Sequence, residues 1–295
     1  MKGSSYATPA AFRRALEDRL RERAEATGED LSRLQRLVAF DRVLARLFVP
    51  GESSRWVVKG GFGLEVRYRM AARTTRDLDL SVVNETLTRA AGQAPIPSLW
   101  DGLQAAMESE LGDGFSIAVG SAGRENAAGD RASVRFPVEV RSAGRVFARF
   151  HLDVGLGDVP ATAMEWVTGE EMLRFAGIPP VRFAIVRVER QMAEKLHALT
   201  KPRGRAANTR VKDLVDLVLL LDRGQPDTIT VRAAVLATFR QHQTHAIPEA
   251  LQAPPDGWAA PYAALARDAD VTARTVEEAF ARVSQFWRTM DLGKP

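Results

Sequence analysis

The sequence contains no cysteine among its 295 residues. Disulfides, thiolate zinc sites, iron–sulfur clusters and cysteine nucleophiles are therefore excluded. It also lacks any apolar run close to the roughly 20 residues that a membrane helix needs, and its first residues lack the apolar core of a signal peptide. We therefore expect a cytoplasmic protein with no membrane partner.

Several common catalytic signatures are also missing from the sequence. There is no P-loop and no Gly-x-Ser-x-Gly nucleophile elbow. Gly61 and Gly63 begin a Gly-x-Gly pattern, but the third glycine of a dinucleotide fingerprint is absent. Any nucleotide chemistry in this chain must therefore depend on another arrangement of residues.

The composition is that of a globular protein, with 45% hydrophobic and 26% charged residues. A chain of 295 residues is long enough for one large or two small domains with a real core. The 41 basic and 37 acidic residues give a net charge of +4. This excess mildly favours a polyanionic partner.

The stretch from Arg55 to Val83 predicts a strand, a Gly-Gly turn, a short helix, an Arg/Thr-rich turn and a second strand. The second strand carries Asp77 and Asp79, which share a face because strand side chains alternate. Taken alone, the pair fits a solvated edge strand whose acids pair with Arg73 and Arg76. The other interpretation is a pair of ligands for Mg²⁺ or Mn²⁺, which prefer oxygen atoms.

The rest of the chain predicts helices at both ends and strands between them. We expect amphipathic helices from about residue 8 to 26 and from 28 to 48, and further helices after residue 188. Alternation predicts strands at 115–119, 132–140 and 145–154, with a hairpin turn at 142–144 and a turn at 155–158. A helix is expected at 98–111, a small one at 169–175, and extended chain at 178–188.

Asp153 lies within the last predicted strand, on the same face as Arg149 and His151. An aspartate near a strand end is often a turn residue. If the strands share one sheet, however, this carboxylate could join Asp77 and Asp79. Three strand-borne carboxylates can hold two divalent ions roughly 3.5–4 Å apart. His151 would then support that site.

The C-terminal part contains charged residues on apolar helices. Lys195 lies on the helix predicted from Glu189 to Thr200, and Asp213 and Asp216 lie on the next helix. The segment from Lys201 to Lys212 has five basic side chains and no acidic one. Lys195 could contact phosphate or lie on a helix surface, and the basic segment could bind RNA or be a solvated loop. His197 is expected to pack, and His242 and His245 to lie on a helix surface.

Together these blocks resemble DNA-polymerase-β-like nucleotidyltransferases. The blocks are Gly60-Gly61, Arg73-x-Thr75-x-Asp77-x-Asp79, Asp153 in His-Leu-Asp-Val-Gly, and Glu194-Lys195-Leu196-His197 followed by Lys212-Asp213-Leu214-Val215-Asp216. The later blocks are similar to the AbiEii-type nucleotidyltransferase toxins, which include the mycobacterial MenT group. The resemblance covers about residues 30 to 222. This chain departs from the family pattern in Lys212, in Val215 and in a stretched spacing between Lys195 and Asp213.

The resemblance implies roles for individual residues. It implies that Asp77, Asp79 and Asp153 bind the metal, and that the catalytic set also includes Lys195 and Asp213. The residues implied to bind the NTP are Gly60, Gly61, Arg73, Thr75 and Lys195. The glycines would let the triphosphate approach backbone N–H groups. Asp213 could instead cap its helix. Asp216 is a weaker candidate for a functional role than Asp213. Phosphorylation of Thr75 would repel the incoming triphosphate, which is a further hypothesis.

The sequence thus predicts an α/β (α+β) fold with a mixed β-sheet nucleotidyltransferase core between helical N-terminal and C-terminal parts. The expected divisions are 1–50, 51–175 and 176–295. The implied activity is Mg²⁺- or Mn²⁺-dependent transfer of a nucleotide from an NTP to RNA, at the tRNA 3′ end, by a toxin with a cognate antitoxin, which blocks translation. A monomer is compatible with the sequence. The alternatives are transfer to a small molecule or protein, and an inactive module that binds RNA or antitoxin.

Overall fold

The computed structural model describes residues 6–49, 55–83, 95–121, 133–203 and 208–292. None of the helices in these ranges is long and apolar enough to cross a membrane. The chain forms two compact units. The first contains Met1–Phe62 and Thr75–Ile185, and the second contains Gly63–Thr74 and Val186–Pro295.

The described residues form a mixed seven-stranded sheet. Its strands are β1 (Trp56–Lys59), β2 (Leu78–Val83), β3 (Phe115–Val119), β4 (Ser133–Ser142), β5 (Arg145–Val159), β6 (Met164–Thr168) and β7 (Arg182–Val186). Their order in the sheet is β3-β4-β5-β2-β1-β7-β6. The β2–β5 and β1–β7 pairs are parallel, whereas β1–β2, β3–β4 and β4–β5 are antiparallel. This topology places β2 directly beside β5.

A two-residue turn joins β4 to β5, and a register shift between Val140 and Arg141 sets the pairing of the residues beyond it. Ala143 has a φ of 49° and Gly144 a φ of 73°. Positive φ at both central positions is the geometry whose twist matches that of the strands it joins. The resulting hairpin pairs Phe136 with Leu152 and Arg135 with Asp153. The predicted turn at residues 142–144 is thus confirmed.

Helices cover the sheet of the first unit. They are α1 (Pro9–Thr27), α2 (Leu31–Leu47) and α4 (Pro95–Met107), which precedes β3. Helix α3 (Gly60–Tyr68) follows β1 and belongs to the second unit from Gly63 onwards. The Thr8 hydroxyl accepts a hydrogen bond from Ala11 N and Asp30 caps α2, which explains where both helices begin. Phe40 of α2 packs edge-on against Phe150, with ring centroids 4.7 Å apart. Burial of such rings holds the helices on the sheet.

The second unit is helical, with its own apolar core. Its further helices are α5 (Val188–Thr200), α6 (Val211–Arg223), α7 (Thr228–His242), α8 (Ala259–Asp268) and α9 (Val276–Thr289). Met192, Leu217 and Val283 are among the buried residues of this core. A capping box formed by Thr275 and Glu278 begins α9. Helix α6 is buried along most of its length, so its polar residues need partners.

The predicted fold class is confirmed, because a mixed sheet with flanking helices is what the chain forms. Some expected elements differ. Strand β6 was not predicted, and β5 continues to Val159 where a turn was expected at 155–158, since β2 pairs with it as far as Val83. The small helix expected at 169–175 is reduced to a 3₁₀ turn at Arg174–Ala176. The division into three parts stays a prediction.

Candidate active site

Two aspartates lie side by side on neighbouring strands of the first unit. Asp79 on β2 is in register with Asp153 on the parallel strand β5. Paired residues on adjacent strands project from the same face, so both carboxylates share that face. Asp77 lies just before β2, which begins at Leu78 rather than at the aspartate as expected. The side chains of Asp77 and Asp153 are partly buried, with 35% and 23% of their surface exposed.

Arg135 connects these carboxylates. From β4 it is in register with Asp153, and its Nε and Nη2 donate to the two Asp153 oxygens at 2.7 and 2.6 Å. Its Nη2 also lies 3.5 Å from Asp77 Oδ2. The hydrogen bond to Asp153 and the charges of Asp153, Asp77 and Asp79 outweigh desolvation and raise the pKa of Arg135. Arg135 was not among the predicted site residues, because its pairing with Asp153 depends on the register shift between Val140 and Arg141.

His151 also contacts the carboxylates. Its Nδ1 lies 3.4 Å from Asp77 Oδ1, and half of its side chain is exposed. The expected neighbourhood of His151 and the aspartates is therefore present. Arg76, one of the two arginines expected to pair with Asp77 and Asp79, is exposed.

Gly60 is in close contact with Asp79. A Cβ built on Gly60 would lie 1.9 Å from Asp79 Oδ2, and the residue has a φ of +66°. Both facts require glycine at this position. Gly60 and Gly61 are the first two residues of α3, where helix N–H groups point outwards. Lys59, immediately before them, is in register with Asp79 and is a second residue that the sequence analysis overlooked.

Thr75 lies two residues before Asp77. Its side chain is buried, and its Oγ1 donates a hydrogen bond to the carbonyl oxygen of Asp77 at 3.3 Å. The hydroxyl therefore supports the backbone that carries Asp77. Its burial means that a kinase would need local opening of this turn before it could modify the residue.

The second unit contains a buried ion cluster centred on Asp216. Arg73 donates through Nε and Nη2 to the two Asp216 oxygens, each at 2.8 Å. Lys195 Nζ lies 2.6 Å from Asp216 Oδ2 and 3.3 Å from Asp213 Oδ1. Arg210 Nη1 in turn lies 3.3 Å from Asp213 Oδ2. Lys195 is buried, so its placement on a helix surface, one of the two expectations, is wrong.

The cluster keeps its members charged. Burial by itself would lower the pKa of Lys195, but Asp216 and Asp213 outweigh it and the pKa is raised. Burial likewise raises the pKa of Asp216, and Lys195 and Arg73 reverse the direction to a lowered pKa. Asp216 is more deeply buried than Asp213, although Asp213 was predicted to be the more important of the two for function. The sequence did contain a signal for this role, because Asp216 lies within an apolar helix and a buried acid needs a cationic partner.

Three histidines of the second unit pack together where α5 meets the end of α7. His197 stacks on His242 with ring centroids 4.4 Å apart, and lies 4.8 Å from His245. His242 Nε2 is 2.8 Å from Glu194 Oε2. The expectation that His197 packs is confirmed. The expectation that His242 and His245 lie on a helix surface is wrong, because the rings pack on one another and on Phe239.

Asp77, Asp79 and Asp153 are the candidate ligands for a divalent cation. Among the described residues, no group of three or more His, Asp or Glu side chains is arranged to hold a metal ion. The donor chemistry of Asp77, Asp79 and Asp153 nevertheless fits a hard cation, since all the donors are carboxylate oxygens. Arg135 holds both oxygens of Asp153. The oxygen donors are therefore of the type that the cation prefers. The guanidinium of Arg135, however, is bound to the Asp153 oxygens that the cation would use.

Comparisons with known proteins identify the family and the fold of this chain. A family model described as the nucleotidyl transferase AbiEii toxin of a type IV toxin–antitoxin system matches residues 42–283. No curated protein sequence matches the chain. The structure is similar to that of MenT4, a nucleotidyltransferase toxin from Mycobacterium tuberculosis H37Rv, with a TM-score of 0.58 and 19% identity. That match covers 97% of this chain and 90% of MenT4, and at this identity it supports the fold.

Proposed function

Because the chain belongs to the family of AbiEii nucleotidyltransferase toxins of type IV toxin–antitoxin systems, we propose that it transfers a nucleotide from an NTP to RNA. The acceptor we propose is the tRNA 3′ end, whose modification blocks translation. The observation that carries the proposal is the register of Asp79 with Asp153, beside Asp77. A nucleotidyltransferase needs carboxylates at one place, and the proposal is supported by the register that puts Asp79 and Asp153 on one face of the sheet.

The three aspartates are the proposed ligands of Mg²⁺ or Mn²⁺. When bound, the cation neutralises phosphate charge and lowers the pKa of the attacking hydroxyl. Asp153 would orient that hydroxyl and accept its proton. Thr75 would hold the Asp77 backbone in place through its 3.3 Å hydrogen bond. This division of roles leaves positioning and charge neutralisation as the main sources of rate enhancement.

Gly60 and Gly61 are the proposed cradle for the triphosphate. They open a nine-residue helix, whose first N–H groups favour an anion. The contact of Gly60 with Asp79 supports this role, since it keeps the helix start against a metal-binding carboxylate. A side chain at residue 60 would displace both the start of α3 and the carboxylate of Asp79.

We further propose that Lys195, Arg73 and Asp213 serve the NTP. Lys195 would contact phosphate as a point charge. Asp216 and Asp213 support this role because they raise the pKa of Lys195 and keep it cationic. Arg73 would act beside it, held in place by its two bonds to Asp216.

The acceptor is tested with labelled NTPs. The purified chain is incubated with each NTP and divalent cation, together with total RNA or with candidate small molecules and proteins. We expect label in tRNA, and loss of that label when the tRNA 3′ end is blocked. Label that appears only in a small molecule or protein would overturn the RNA proposal and favour the alternative transferase.

An RNA acceptor is supported by charge. The segment Lys201–Lys212 carries five basic residues and no acid, and the whole chain has a net charge of +4. Phosphate contacts of this kind weaken with salt. We therefore expect the apparent affinity for tRNA to fall as salt rises from 50 to 200 mM.

The toxin role and the inactive-module alternative are separated in cells. Induced expression of the wild-type chain should stop growth, and co-expression of a cognate antitoxin should restore it. Asp77→Ala and Asp79→Ala should remove toxicity at equal protein level. Undiminished toxicity of both variants would favour a module that acts by binding alone.

A further inference from the structure

Arg135 lies at the oxygen atoms that a divalent cation would use. Its guanidinium makes a two-pronged contact with Asp153 at 2.7 and 2.6 Å. The same Nη2 lies 3.5 Å from Asp77 Oδ2. A single cationic side chain thus links two of the three carboxylates.

A metal ion and this guanidinium cannot both be bound to Asp153 in the same way. A divalent ion coordinates carboxylate oxygens at about 2.0–2.2 Å and would lie close to the positive charge of Arg135. The repulsion between them is strong in a partly buried site. Binding of the ion therefore requires Arg135 to leave the oxygen atoms.

Arg135 is placed so that it can leave. Some 40% of its side chain is exposed, in contrast to Arg73, whose side chain is 10% exposed. It is the third residue of β4, and its position in the sheet is fixed by the backbone register rather than by the guanidinium. Rotation of the long side chain into solvent costs only the bonds to the aspartates, which water can replace.

We propose that Arg135 is a movable counter-cation, which holds Asp153 and Asp77 together and releases them to the divalent cation. It competes with that cation for the same oxygen atoms. In its bound position it offsets the repulsion among the carboxylates. This inference rests on the proposed function, since it assumes that the aspartates take a metal ion.

The inference is tested by Mn²⁺ binding, measured by electron paramagnetic resonance of the free ion. We expect Arg135→Gln to bind Mn²⁺ roughly tenfold more tightly than wild type, which corresponds to about 1.4 kcal/mol. Arg135→Lys, which keeps the charge but not the fork, should lie between them. The matched control is Arg149→Gln. Arg149 lies on the same face of β5 as Asp153, but its Nε donates to Glu139 at 2.7 Å instead. The control should bind Mn²⁺ like wild type.

Thermal unfolding supplies a second readout. In EDTA, Arg135→Gln should melt at a lower temperature than wild type, because its carboxylates are no longer neutralised. At saturating Mn²⁺ this difference should vanish or reverse. A purely structural arginine would instead lower the melting temperature at every Mn²⁺ concentration and leave the Mn²⁺ affinity unchanged, and that result would overturn the inference.

Asp153→Asn separates the inference from the proposed function. If this variant and wild type bind Mn²⁺ equally, the aspartates are not the metal site, and both proposals fail. If Asp153→Asn loses Mn²⁺ binding while Arg135→Gln binds no more tightly than wild type, the competition alone is wrong. Tighter binding by Arg135→Gln together with loss in Asp153→Asn supports both.

Discussion

At the scale of single residues, Asp216 shows how strongly a buried charge depends on its partners. The carboxylate accepts two bonds from Arg73 and one from Lys195, and its side chain is almost fully buried. Removing one member of such a cluster leaves the others uncompensated, which costs more than the cluster itself contributes.

Asp216→Asn should therefore lower the free energy of unfolding by about 3–5 kcal/mol, measured by urea denaturation. Asp227→Asn is the matched control, because Asp227 is an N-cap of α7 and asparagine caps equally well. The control should change stability by less than about 0.5 kcal/mol. A loss for Asp216→Asn no larger than that of the control would contradict the ion cluster.

The stability lost in Asp216→Asn should depend on pH. The pKa of Asp216 is lowered on folding, so its contribution is present above the unfolded value near 3.9 and is lost as pH falls through the folded pKa. The pKa of Lys195 is raised, so its contribution is present below about 10.4 and is lost as pH rises through the folded pKa. The difference between wild type and Asp216→Asn should be largest at about pH 5–9 and shrink in stronger acid.

Gly60 gives a second prediction at this scale. Gly60→Ala adds a Cβ 1.9 Å from Asp79 Oδ2 at a φ of +66°. We expect nucleotide transfer to fall by about 100-fold or more, as for a displaced catalytic group, with a loss of stability. Gly144→Ala is the control, with a φ of +73° but no atom within 4 Å of the added Cβ. It should cost about 1–2 kcal/mol and leave transfer intact. Equal transfer by both variants would mean that the contact with Asp79 has no role.

At the level of helices and strands, the alternation of apolar residues was enough to predict most strands, but it could not predict which strands pair in the sheet. The face of Asp153 and the hairpin at Ala143 followed from alternation and turn chemistry. The register of Asp79 with Asp153 depends on two strands far apart in sequence, so only the fold could establish it. Arg135 and Asp153 lie on the two strands of a predicted hairpin, but the register shift between Val140 and Arg141 that pairs them is not visible in the sequence pattern. Strand β6 is short and half exposed, which leaves little pattern to detect.

The β4–β5 hairpin allows a stabilising change. Ala143 has a φ of 49°, which alanine adopts at a cost, and Gly144 follows it. Ala143→Asn creates Asn-Gly, the preferred pair for this turn. We expect the free energy of unfolding to rise by about 0.5–1 kcal/mol, with transfer unchanged. A drop in stability measured by urea denaturation would show that the turn geometry differs from that described.

At the scale of the whole molecule, the family and the sheet support the same chemistry from different directions. The family model covers residues 42–283, a span that includes every proposed site residue. Within the first unit, the mixed sheet brings β2, β4 and β5 together and places Asp79, Asp153 and Arg135 on one face, with Asp77 just before β2. We propose that these aspartates carry nucleotide transfer.

The most direct test of this claim is the rate of label transfer from NTP to tRNA by Asp79→Asn and Asp153→Asn, in parallel with wild type. Both variants should lose about 10²–10³-fold or more, the loss expected when a group that stabilises transition-state charge is removed. Asp101→Asn, an exposed aspartate on α4, is the control and should transfer at the wild-type rate. Transfer by either site variant within a few-fold of wild type would contradict the account.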